Sequence, residues 1–242
     1  GVMTAPVAAI DVGSNTTRLL VARAERGQIA ALASGTAMTG LAAGLRPGGT
    51  IPIEKLDLVA LTVRQMAAEA RELGAQRVVV ACTAPGRNAS NASQLLDRLQ
   101  AAAGVTPRVL SGAEEAELSF RGLMSGDAPD PLVAVDPGGG SMEAMVGVGG
   151  RLTWATSIPV GVRALTESFV RHDPPDIDVL EPMIAEERTM VDVVELPVTV
   201  REAVATGGSA QSLAALVGRD VLDRDALEGA VHRLVGAPAA DL

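Results

Sequence analysis

The sequence predicts an α/β protein of two lobes, each a mixed sheet with helices against it, with a cleft between the lobes. Three observations carry this. A strand that ends in an acid, turns through small residues and returns as a strand occurs twice. The copies are Ala8-Ala9-Ile10-Asp11-Val12-Gly13-Ser14-Asn15-Thr16-Thr17 and Val135-Asp136-Pro137-Gly138-Gly139-Gly140-Ser141-Met142-Glu143. Each copy is followed by a further strand and then helices, so the halves read as diverged copies of one hairpin-plus-helices unit. A third glycine turn, Ala205-Thr206-Gly207-Gly208-Ser209-Ala210, leads out of an apolar run into a helical stretch from Gln211 to Leu216. Two such hairpin loops facing each other, plus a third loop opening a helix, can clamp a phosphate chain from both sides.

The elements follow in order. Val7 to Asp11 is a buried-type strand. Thr17 to Arg23 and Gln28 to Ser34 form a hairpin around Glu25-Arg26-Gly27. The stretch 36–50 is a glycine-rich loop. Leu56, Val59, Ala60, Val63, Met66, Ala67 and Ala70 recur at helical spacing, so a helix runs from Pro52 to near Gly74. Arg77 to Cys82 is a strand, 83–88 a turn, and 89–103 a helix with Leu95, Leu96 and Leu99 inward. Thr106 to Leu110 is a short strand. Ser111-Gly112-Ala113-Glu114 is a capping box opening a helix to about Met124. Asp127-Ala128-Pro129-Asp130-Pro131 is the linker, which sets lobes of 1–126 and 127–242. The second lobe holds strands at 131–135, 144–148 and 152–157. Helices follow to about Arg171 and Val191, then a strand from Val198 to Ala205 and a last helix from Leu222 to Val235.

Composition excludes several classes. The 242-residue chain is 48% hydrophobic without a membrane-length apolar run or a leader pattern, so it reads as soluble, globular and cytoplasmic. Its only cysteine, Cys82, can form no internal disulfide. A net charge of −9, a single lysine (Lys55) and three aromatic residues argue against nucleic-acid binding. The two histidines, His172 and His232, lie far apart in helical stretches, which leaves no Ser-His-Asp triad or typical zinc site. The glycine turn at 138–140 lacks the lysine and the following helix of a Walker loop.

What remains is acids, glycines, hydroxyls and arginines. Glycine turns present bare N–H groups that suit phosphate oxygens, whereas Asp136 and Glu143 need a cation between them and a phosphate. Taken alone, each turn reads equally well as a tight β-turn with a capping acid.

In order and spacing these motifs resemble the exopolyphosphatase / guanosine pentaphosphate phosphohydrolase (Ppx/GppA) family. That family has the actin-like, ribonuclease H-like fold shared with sugar kinases and acetate kinase. The resemblance runs from about Ala8 to Leu216. It rests on Asp11-Val12-Gly13-Ser14-Asn15, on Arg87 with Asn91 four residues on, on Ser111-Gly112-Ala113-Glu114-Glu115-Ala116, on Asp136 to Glu143, on Ile158-Pro159-Val160-Gly161 and on Gly207-Gly208-Ser209.

The resemblance implies Mg²⁺-dependent hydrolysis of the terminal phosphate of polyphosphate or guanosine pentaphosphate, and a homodimer. It implies that Glu115 is the general base, with Asp136 and Glu143 also catalytic. Asp11, Asp136 and Glu143 would be the metal acids. Arg87 would bind phosphate, as would Gly13, Ser14 and Asn15, Gly138, Gly139, Gly140 and Ser141, and Gly207, Gly208 and Ser209. Departures are Pro137 inside the second loop, Pro85-Gly86 before Arg87, and a second lobe expected to be shortened. These motivate a second reading, a polyphosphate- or nucleotide-binding homologue without turnover. A third, an actin-like kinase, is allowed by the first loop.

Overall fold

The computed structural model describes residues 4–25, 28–41, 48–124, 129–235 and 237–238, without the side chain of residue 164. The turn at 26–27, residues 42–47 of the loop expected at 36–50 and residues 127–128 of the linker lie outside them. The chain divides into two compact units, Gly1–Asp127 and Ala128–Leu242.

In the first unit, β1 (Val7–Val12), β2 (Thr16–Glu25) and β3 (Gln28–Met38) form an antiparallel meander. β4 (Arg77–Cys82) lies parallel to β1, and β5 (Arg108–Val109) parallel to β4, giving the order β3-β2-β1-β4-β5. Strict alternation buries Ala8, Ile10 and Val12 and turns Asp11 to the exposed side. The buried face is covered by α1 (Ile53–Glu72) and α3 (Ala92–Ala103), whose Leu56, Val59, Val63, Leu95 and Leu99 are fully buried with it. Gly74, with φ +83°, supplies the left-handed residue just past α1. The stretch 83–88, expected as a turn, contains the one-turn helix α2 (Ala84–Asn88). Pro85 sits in its first turn, where a missing N–H costs nothing.

The capping box before α4 (Gly112–Leu123) forms as expected. The Glu114 N–H donates to Ser111 Oγ at 3.2 Å, and the Ser111 N–H donates to Glu114 Oε2 at 2.9 Å. That backbone N–H, then Arg108 and the Ser111 hydroxyl, lowers the Glu114 pKa from 4.5 to about 2. A lowered carboxyl pKa contributes stability that is present above the unfolded value and lost as pH falls through the folded one. Melting temperature is therefore expected to drop between about pH 4.5 and about pH 2 by a component that Glu114→Gln removes. A pH–melting profile of both proteins checks this; identical slopes in that window would refute it.

The second unit repeats the plan. β6 (Leu132–Pro137), β7 (Met142–Val148) and β8 (Arg151–Ile158) are an antiparallel meander, and β9 (Val204–Ala205) lies parallel to β6. The sheet order is β8-β7-β6-β9. Leu132, Val133, Ala134, Ala144, Met145 and Val146 form its buried centre. Both meanders carry a bulge in the second hairpin, at Val21/Ala22 and at Val146/Gly147. The helices are α5 (Val162–Phe169), α6 (Leu180–Val191) after a 3-10 turn at Ile177–Val179, α7 (Gly207–Val217) and α8 (Arg224–Leu234). Of the strand expected from Val198, only the last two residues pair, because the parallel ladder on β6 spans Ala134 and Val135 alone. No helix among the described residues is long and apolar enough to cross a membrane.

Candidate active site

The two glycine loops have the same construction. Val12 pairs with Thr17 and Pro137 with Met142, so each hairpin encloses four residues. In each, the first glycine closes the loop: Gly13 N–H donates to Thr16 O at 3.0 Å, and Gly138 N–H to Ser141 O at 2.8 Å. A Cβ at Gly13 or Gly138 would approach that same carbonyl to 3.1 or 2.8 Å. Pro137 takes the place of Val12 and the hairpin still closes. The amides of Gly13 and Gly138 are therefore committed to their own loops. Among the described residues, the N–H groups of Ser14 and Asn15, and of Gly139 and Gly140, donate to no protein acceptor. Those are the donors a phosphate could use.

In the first unit, Asp11, Arg87 and Glu115 gather at the carboxyl ends of β1, β4 and β5. Arg87 leaves α2 and donates through Nη1 to Leu110 O at 2.6 Å and to Glu115 Oε2 at 2.9 Å. Both side chains are about one-third exposed, at 28% and 35%, so water reaches the pair. Glu115 sits in the first turn of α4, one residue past the capping Glu114. The charges of Asp11, Arg87 and Glu115 all bear on the Cys82 thiol, which burial pushes up to about 11. Cys82 is thus a core residue and no nucleophile. Gly86 fits beside it: a Cβ there would lie 2.9 Å from its Sγ.

In the second unit a polar row crosses the sheet. Asp136 is directly opposite Glu143, and Glu143 directly opposite Ser157, so their side chains share a face. Glu143 Oε1 accepts from Ser141 Oγ at 2.7 Å and from Ser157 Oγ at 2.9 Å. The third loop closes the row. Thr206 N–H donates to Val135 O at 2.9 Å, and α7 starts at Gly207, four residues before the helical stretch expected from Gln211. Gly207 is buried against Asp136, with Gly208 and Ser209 next in the first turn of α7. Ser157, Gly161 and Val162 escaped the sequence reading as site residues. His172 and His232 are exposed.

No group of three or more His, Cys, Asp or Glu side chains able to hold a metal occurs among the described residues. The Asp136–Glu143 pair does fit magnesium. That ion keeps several waters and is held by one or two carboxylates together with substrate phosphates, not by an all-protein cage.

An actin-like α/β fold with a glycine hairpin in each unit is the class these features define. The chain belongs to the Ppx/GppA phosphatase family, whose sequence pattern it matches over residues 20–225. It is 33% identical over 220 residues to exopolyphosphatase 1 of Mycobacterium tuberculosis, covering 86% of this chain and 63% of that one. A Streptomyces coelicolor protein is 35% identical over 163 residues, 66% of this chain and 48% of that one. The chain therefore spans about half to just under two thirds of these relatives. Among solved structures, the Aquifex aeolicus PPX-GPPA enzyme superposes with a TM-score of 0.73 at 26% identity, over 93% of this chain and 75% of that one. An exopolyphosphatase-like protein superposes with a TM-score of 0.86 at 24% identity, over 98% and 79%.

Proposed function

We propose that this chain hydrolyses the terminal phosphate of inorganic polyphosphate or guanosine pentaphosphate. The observation that carries the reading is the Arg87–Glu115 contact at 2.9 Å. A guanidinium suited to phosphate is held beside a carboxylate suited to take a proton, in the unit that also carries the first glycine hairpin. Arginine has five N–H donors in a rigid fork, and the bonds described use one nitrogen of Arg87.

In this reading Arg87 draws in the terminal phosphate. In the first unit the amides of Ser14 and Asn15, and in the second those of Gly139 and Gly140 with the first turn of α7, are the donors suited to phosphate oxygens. Glu115 takes a proton from water as its oxygen bonds to the terminal phosphorus. The bridging P–O bond breaks, and its electrons leave with the shortened chain. In the second unit Asp136 and Glu143, with Ser157 orienting Glu143, are the acids that would hold magnesium; in the first, Asp11 is. When bound, that ion neutralises phosphate charge.

A phosphate-release assay on both substrates, with and without magnesium, tests the proposal. Magnesium-stimulated release from either supports it, and the substrate released faster names the activity. Tight binding of both without turnover would instead select the non-catalytic reading, and phosphate transfer from ATP to an acceptor the kinase reading.

A further inference from the structure

We infer that the residues following β8 form a clamp that aims the phosphate-binding amides of the second loop, with Val162 as a positioning residue. The inference rests on the function proposed above. Val162 N–H donates to Gly138 O at 3.0 Å, and Arg163 N–H to Gly139 O at 3.0 Å. In a trans peptide the C=O and N–H point in opposite directions. Fixing the carbonyls of Gly138 and Gly139 on the start of α5 therefore turns the Gly139 and Gly140 N–H groups to the opposite side. Those are the two amides of this loop that find no acceptor among the described residues.

Close approach is what makes this possible. A Cβ on Gly161 would lie 2.4 Å from Gly140 N and 2.5 Å from both C and O of Gly139. The φ of Gly161 is −139°, which any residue adopts. Glycine is required there by contact with the loop and not by backbone conformation. The first loop is held differently, through a single carbonyl. Just past β3, Thr39 N–H and Gly40 N–H donate to Asn15 O at 3.0 and 2.8 Å. Asn15 matches Gly140 of the second loop, and its carbonyl shares a peptide with the Thr16 N–H, so this contact anchors the first loop without aiming its Ser14 and Asn15 amides.

Val162 is the first residue of α5, a position where proline suits a helix, and extended Gly161 tolerates a following proline. Val162→Pro therefore removes one clamp donor and sets its ring Cδ against the Gly138 carbonyl, so the loop has to shift away from α5 at some cost in stability. With inorganic tripolyphosphate as substrate, Val162→Pro is expected to raise KM about five- to tenfold, the scale of one lost hydrogen bond. Its kcat should stay near wild type, with a modestly lower melting temperature. Val162→Ala, the conservative variant that keeps the N–H, recovers KM. A wild-type KM in Val162→Pro, or an equal rise in Val162→Ala, would overturn the clamp while leaving the function standing. Should the proline variant not fold, titration of the ¹⁵N-labelled wild type with inorganic phosphate decides between the outcomes. The Gly139 and Gly140 amide resonances must move, and resonances that stay fixed refute the clamp. A wild type that neither binds nor cleaves tripolyphosphate sinks the function and the clamp together.

Discussion

Glu115→Gln is expected to abolish phosphate release while leaving the protein folded and able to bind tripolyphosphate. Glutamine keeps the shape of glutamate and still offers Arg87 a carbonyl oxygen in place of Oε2, which now accepts from Nη1 at 2.9 Å. The helix start is unaffected, because its capping belongs to Ser111 and Glu114. What is lost is the ability to take a proton from water. Removing a general base costs about 10²- to 10⁴-fold in rate, and we expect about a thousandfold. The measurement is kcat on polyphosphate and guanosine pentaphosphate, with the melting temperature and tripolyphosphate Kd as controls. Turnover within about tenfold of wild type would remove Glu115 from the proton path. Unchanged binding with lost turnover would separate it from a mere partner of Arg87, since a structural role for the ion pair would weaken both.

Much of the first unit is legible in the sequence because its signals are local. The alternation of Val7 to Val12, the helical spacing from Leu56 to Ala70 and the Ser111–Glu114 box each fix an element from a few residues. The paired hairpins are visible because an acid two residues before a small-residue turn occurs twice. What cannot be read depends on register and depth. Counting back from the Gly149-Gly150 turn pairs Glu143 with Thr156, which puts Ser157 on the opposite face. The bulge at Val146/Gly147 shifts the ladder by one and brings Ser157 opposite Glu143. Thr153, the extra residue, bonds Val146 O at 3.0 Å. Likewise Gly161 reads as a strand-end glycine, and only its distance from the Gly139 backbone gives it a task. The apolar alternation from Val198 signals a strand, but a strand needs a ladder, and β6 offers two residues of one. The donor duty expected of Gly13 and Gly138 passes to their neighbours for the same reason. Composition marks a loop as able to present amides, and only the hydrogen bonds say which of them remain to present.

The sharpest structural demand falls on Gly207, and Gly207→Ala is expected to cost both stability and activity. Its φ is +85°, where a side chain adds about 1–2 kcal/mol. Its Cβ would also lie 2.2 Å from Asp136 Oδ1 and 3.1 Å from Cγ, so the carboxylate must turn away from its place beside Glu143. Displacing a catalytic group by about 1 Å costs on the order of 100-fold in rate. We expect kcat/KM to fall by about that factor and the melting temperature by about 4–8 °C, taking roughly 2 kcal/mol for the combined strain. Backbone strain and side-chain clash separate in a cycle with Asp136→Ala. Without the carboxylate the clash disappears, so adding Gly207→Ala to Asp136→Ala should destabilise by the backbone share alone, while activity stays lost in both. Strictly additive stabilities would mean that Asp136 does not rest against Gly207. Wild-type activity in Gly207→Ala would mean that the position of Asp136 does not govern the reaction.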